Sequence, residues 1–104
     1  MLQKHDQAID SYLRALETNP DSAECHFNIA SAYNDKGDFD NAVKHFKESL
    51  RYDNKNQEAY MNVATIFEGA QNFGEALEYF KKVLTLNPES EQAKEAVARI
   101  EKVL

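Results

Sequence analysis

Apolar residues recur along this chain at spacings of three and four, and short polar breaks interrupt them at intervals. Residues spaced this way share one face of an α-helix. Residues 6–18 (DQAIDSYLRALET) place Ala8, Ile9, Tyr12, Ala15 and Leu16 in phase. Asn19-Pro20 ends that run, because the residue before a proline is pushed out of the helical region. A second helix is predicted over 22–36, with Phe27, Ala30 and Tyr33 in step. Gly37 then supplies a left-handed residue to close it, and Asp38 can cap the next helix. The third, over 39–52, carries Ala42, Phe46 and Leu50 and is followed by the polar turn Asp53-Asn54-Lys55-Asn56. A fourth, over 57–70, carries Tyr60, Val63, Ala64 and Phe67. Asn72 with Glu75 three residues on reads as a capping box that opens a fifth helix. That helix carries Ala76, Leu77, Phe80 and Leu84 and stops at Asn87-Pro88. A sixth is predicted from residue 90 to the end, with Ala93, Val97, Ile100 and Leu104 in phase. No strand-type alternation competes anywhere.

The helices are copies of one another. Displacing the sequence by 34 positions brings Ala8, Ala42 and Ala76 together, and likewise Ala30, Ala64 and Ala98. Tyr12, Phe46 and Phe80 coincide, as do Leu16, Leu50 and Leu84, while His5 stands against Phe39 and Phe73. A fixed period of this length marks a helical repeat. Alanine at a constant place lets two helix backbones approach closely, and the bulky residue three or four positions away fills the space beside it. A single helix pair leaves one apolar side uncovered, so neighbouring pairs are expected to stack.

The repeated residues resemble the tetratricopeptide repeat family, whose unit is also 34 residues long. From Ala23, the residues at the family's defining places are His26, Ile29, Ala30, Tyr33, Gly37, Ala42, Phe46, Ser49 and Asn54. From Gln57 they are Tyr60, Val63, Ala64, Phe67, Gln71, Ala76, Phe80, Val83 and Pro88. The resemblance implies an all-α fold, a right-handed superhelical solenoid of six helices in antiparallel pairs. It divides into a half repeat (1–22), full repeats at 23–56 and 57–90, and a capping helix at 91–104. The half repeat lacks its first helix, which suggests a fragment of a larger array. Lys94 and Glu101 replace apolar residues of the pattern, as a solvated terminal cap would. Gln71 stands where the family has glycine, so either it is strained or the helix ends early near Gly69.

Composition narrows the function. The 104 residues carry 18 acidic against 12 basic side chains, a net charge of -6. Nucleic acid is therefore not an expected partner, since phosphate backbones are met by clustered cations. An anionic membrane surface is equally disfavoured, and no apolar run reaches the ~20 residues of a membrane span. One cysteine, Cys25, permits no internal disulfide. A reducing, cytoplasmic setting is the expectation.

No catalytic chemistry, cofactor or metal site is expected. His5, His26 and His45 fall at three different places in the repeat, and Cys25 and His26 are neighbours that diverge on a helix. The resemblance points instead to a binding face, because in this family the first helix of each repeat lines a concave groove. Carried over, that face comprises Glu24, Phe27, Asn28, Ser31, Asn34 and Asp35, then Glu58, Met61, Asn62, Thr65, Glu68 and Gly69. The capping helix adds Gln92, Glu95, Ala96, Arg99 and Lys102. Phe27 and Met61 would be apolar anchors, Asn28 and Asn62 would bond a peptide backbone, and the carboxylates would favour a basic partner. Some members grip a chaperone's C-terminal carboxylate with Lys, Arg and Asn. Here those places hold Phe27, Ser31, Asn62, Gln92 and Ala96, of which only Asn62 fits. The function expected is thus a non-catalytic protein-interaction module that holds a peptide in the groove. The alternative is self-assembly, a homodimer formed through an exposed strip of Ile9, Tyr12, Leu13 and Leu16 on the N-terminal helix.

Overall fold

A computed structural model describes the backbone from Leu2 to Leu104 and the side chains from residue 6 onward; His5 lies outside the described side chains. Among the described residues the regular structure is helical: α1 (Leu2–Thr18), α2 (Ala23–Lys36), α3 (Phe39–Tyr52), α4 (Gln57–Gly69), α5 (Phe73–Leu86) and α6 (Glu91–Glu101). The chain forms two compact units, Met1–Asn54 and Lys55–Leu104. In the first, α2 packs against both α1 and α3. In the second, α5 packs against both α4 and α6.

Short polar side chains set the helix starts. The Ser22 hydroxyl accepts from the Cys25 N–H at 3.1 Å, Asn56 Oδ1 from Ala59 N–H at 3.1 Å, and Ser90 from Ala93 N–H at 3.3 Å. Each satisfies one of the donors left orphaned at a helix start. Asp38 does the same for α3, accepting from Asn41 N–H at 3.4 Å. The capping box expected at Asn72 does not form, for its side chain makes no cap bond. Its backbone angles (φ -86°, ψ 71°) nearly match those of Asp38 (φ -88°, ψ 78°), so the cause lies in the side chains. Asp38 is held in place by the Asn41 amide, which donates to Oδ2 at 2.7 Å. The corresponding neighbour of Asn72 is Glu75, whose side chain has no amide N–H to give.

The closures of α2 and α4 are alike. Gly37, at φ +87°, directs its N–H to Asn34 O, and Asp38 N–H returns to Tyr33 O. Helix α4 does end early, at Gly69, yet Gln71 still takes the left-handed conformation, at φ +65°. Its N–H meets Glu68 O, and Asn72 N–H meets Phe67 O. Both are the paired closing bonds that satisfy last-turn carbonyls.

Buried Ile9, Ile29, Ala30, Ala42, Phe46 and Leu50 form the core of the first unit. Ser49 and His26 are buried polar members, the Ser49 hydroxyl donating to Ala23 O at 2.9 Å. In the second unit Ala64, Ala76, Phe80, Ala96 and Ile100 form one buried cluster, with Met61, Phe67, Leu77 and Val97 packed around it. Two helix ends differ from expectation. Helix α1 begins at Leu2, since nothing before residue 6 acts as a breaker, and α6 stops at Glu101, leaving Leu104 exposed rather than in phase with the core.

Candidate functional site

Helices α4 and α6 both pack on the Phe80 cluster, and their facing turns leave an open cleft of about 310 Å³ in the second unit. Met61, Thr65 and Glu68 project from α4 at spacings of four and three. Gln92, Glu95, Ala96 and Arg99 project from α6 at the same kind of spacing, and Phe80 forms the floor. These intervals place each set on one helical strip. Small Ala96, itself buried, leaves room where a larger side chain would close the cleft.

One pair of side chains crosses the cleft mouth. The Arg99 guanidinium donates from Nε to Glu68 Oε2 at 2.7 Å and from NH2 to Oε1 at 2.9 Å, a two-pronged bond between α4 and α6. Its hydrogen bonds hold the Glu68 carboxyl below the usual carboxylate range, while partial burial opposes them. Glu68 is the more enclosed partner, with a side chain 22% exposed against 57% for Arg99. The sequence reading assigned both residues to the groove without pairing them. The pairing changes the electrostatics, because Glu68 no longer presents an uncompensated charge.

The structure brings together Met61, Thr65, Glu68, Gln92, Glu95, Ala96 and Arg99. Glu58, Asn62 and Gly69 lie on α4 outside the cleft lining. In the first unit Glu24, Phe27, Asn28, Ser31, Asn34 and Asp35 all lie on α2. Phe27 is half-buried, and its ring meets that of Phe46 edge-on at 5.6 Å. It is therefore partly a core residue and not a free anchor. Met61 is likewise half-buried, against the Phe80 cluster.

The apolar strip expected on α1 is mostly covered. Ile9 is buried, Tyr12 and Leu16 are half-buried, and Leu13 alone stands out, at 40% exposure. Helix α2 packs against α1, and Cys25 Sγ on α2 lies 3.2 Å from the Tyr12 carbonyl. Sequence reasoning also missed the meeting of His26 and His45, whose Nδ1 atoms are 3.3 Å apart. No cluster of three metal-ligating side chains occurs among the described residues, and no described helix is long and apolar enough to cross a membrane.

Paired helices, alanine contact rows and a cleft between the first helices of successive pairs define a helical-repeat protein built to present a surface. Two models of the tetratricopeptide repeat match residues 33–100 and 2–56, and the chain belongs to that family. Among curated proteins, none has a sequence that matches the chain. Among solved structures it is similar to the Arabidopsis OM64 tetratricopeptide domain, at 27% identity over 98% of this chain and 84% of that one, with a TM-score of 0.86. It is also similar to the first such domain of Spaghetti (RPAP3) bound to the HSP90 peptide SRMEEVD. There the identity is 25%, over 97% of this chain and 80% of that one, with a TM-score of 0.86. The second such domain of human RPAP3, in complex with the HSP70 peptide SGPTIEEVD, matches at 25% identity over 95% and 82%, with a TM-score of 0.83.

Proposed function

We propose that the chain is a non-catalytic binding module whose α4–α6 cleft receives an extended segment of a partner protein. The observation that carries this reading is the convergence of seven side chains from two helices on one open cleft with an aromatic floor. Met61 and Phe80 offer apolar contact, Gln92 offers a donor and an acceptor to a peptide backbone, and Thr65, whose hydroxyl donates to Met61 O at 2.8 Å, offers an acceptor. The similarity to domains seen with bound peptides supports the same use.

The partner differs in charge from the acidic chaperone tails that those neighbours hold. Gln92 and Ala96 stand here where the family's carboxylate-gripping members place cations, and both are neutral. Arg99 is already engaged by Glu68. With Glu95 at the cleft, Glu24 and Glu58 along the two α2 and α4 faces, and a net charge of -6, a neutral or basic segment is favoured. An acidic terminus would leave its charge unpaired at a cost of several kcal/mol once desolvated.

The test is selection of binders from a random peptide display library on the full chain, followed by fluorescence anisotropy. Thr65→Arg fills the cleft from an exposed position and leaves the buried cluster untouched. Its affinity for the selected peptide should fall at least about tenfold, a little over 1 kcal/mol. Undiminished binding by this variant would show that the cleft is not the site.

A further inference from the structure

His26 and His45 come from α2 and α3, 19 positions apart in sequence. Their ring centroids are 5.5 Å apart, with Nδ1 facing Nδ1 at 3.3 Å. The other nitrogen of His26, Nε2, lies 3.1 Å from the Pro20 carbonyl. A carbonyl only accepts, so His26 Nε2 carries the hydrogen, and in the neutral ring Nδ1 is then the acceptor. His45 Nδ1 must therefore donate to it. This single arrangement ties the turn before α2 to α2 itself, and α2 to α3.

The chain's own repeat supplies a comparison. Thirty-four positions on from His26 and His45 stand Tyr60 and Tyr79, and these two rings also meet, with centroids 6.2 Å apart. Tyr33 stacks on His45 at 5.7 Å, and Phe67 meets Tyr79 in a tilted contact at 5.8 Å. The same place in the architecture is thus filled once by two imidazoles and once by two phenols.

We propose that the His26–His45 contact is an acid-sensitive fastening of the first unit, and that its tyrosine counterpart leaves the second unit without one. A first proton can enter at His45 Nε2 and keep the Nδ1–H···Nδ1 bond. A second has no place except His26 Nδ1, which removes the acceptor and sets two N–H groups and two positive charges against each other at 3.3 Å. Burial, the charge of His26 and that of Lys44 all push the His45 imidazole below its ordinary value, and only Glu48 opposes them. The other side chains facing the pair are the rings of Tyr33 from α2 and Tyr52 from α3. On α1, Asp6 is engaged by Lys36 and Asp10 by Arg14.

The unfolded chain charges both rings near pH 6.5, whereas the folded pair takes up fewer protons. Stability is therefore fully present above that pH and lost as pH falls below it. The folding constant should drop about tenfold per pH unit for each proton the folded state lacks. The experiment is urea unfolding of the full chain between pH 7.5 and 5.5, above the carboxylate range. The comparison is the double variant His26→Tyr/His45→Tyr, which installs the pair of the second repeat. The wild type should show the fall and the variant should not, and His5 is common to both. Equal slopes would overturn the proposal. Imidazole nitrogen NMR of the wild type decides the matter if the variant does not fold. An unprotonated His26 Nδ1 at pH 7.5 and a pair that accepts at most one proton by pH 5.5 are expected. Two independent titrations near 6.5 would refute it.

Discussion

Gln71 holds a backbone conformation that glycine adopts without cost, so Gln71→Gly should make the protein more stable. At φ +65° a side chain crowds the following carbonyl, which costs about 1–2 kcal/mol for a residue with a Cβ. Against this, glycine enlarges the freedom of the unfolded chain, worth about 0.4–1 kcal/mol in the opposite direction. The Gln71 side chain is exposed, so its removal sacrifices no buried contact. The difference runs from about 0 to about 1.6 kcal/mol, and its midpoint of about 0.8 kcal/mol raises the melting temperature of a domain of this size by about 3–6 °C. Thermal melts followed by circular dichroism, with urea midpoints at unchanged m-value, measure it. The reciprocal change is Gly37→Ala. A Cβ built there meets nothing within 4 Å, so the φ of +87° alone is penalised and stability should fall. A melting temperature for Gln71→Gly at or below that of the wild type would refute the reasoning. So would a shift of both variants in the same direction.

Two further predictions concern side chains that the sequence treats alike and the structure does not. Asn56→Ala should cost about 1 kcal/mol, because it removes a formed cap, whereas Asn72→Ala should cost only a few tenths; comparable losses in urea titrations would contradict the missing Asn72 bond. The Glu68 carboxyl, held low chiefly by the Arg99 hydrogen bonds, stabilises the fold above the ordinary carboxylate range and ceases to as pH falls through its own lower value. A carbon-13 NMR titration should therefore find Glu68 titrating below the ordinary carboxylate range, and Arg99→Gln should return it to that range.

Elements with a physical stop at both ends were legible in the sequence. Helix α3 lies between a glycine closure with an aspartate cap and a four-residue polar turn, and its observed span, Phe39–Tyr52, is the predicted one. Helix α6 had a marked start at Ser90 but nothing to mark its end, and the apolar phase of Leu104 suggested a longer helix than forms. Met61, Thr65, Glu68 and Arg99 line the cleft at places the resemblance implied for a concave face, whereas Glu58, Asn62 and Gly69, implied for the same face, do not line it. The Glu68–Arg99 bond was not legible. Its partners are 31 positions apart and depend on how α6 lies across α4, which helical periodicity does not encode.

The histidine pair shows why a repeat must be read for its differences as well as its matches. Taken singly, His26 and His45 are two more half-polar residues on amphipathic helices, and nothing in their spacing suggests contact. Set against Tyr60 and Tyr79, they occupy the two places where the architecture brings rings together. Both pairs fill similar space, so packing alone does not require histidine in the first repeat. The feature histidine adds there is a ring nitrogen able to take up a proton, with a carbonyl at Pro20 that fixes which nitrogen is free. Where two copies of one unit share geometry and differ in chemistry, the difference is the property specific to this chain.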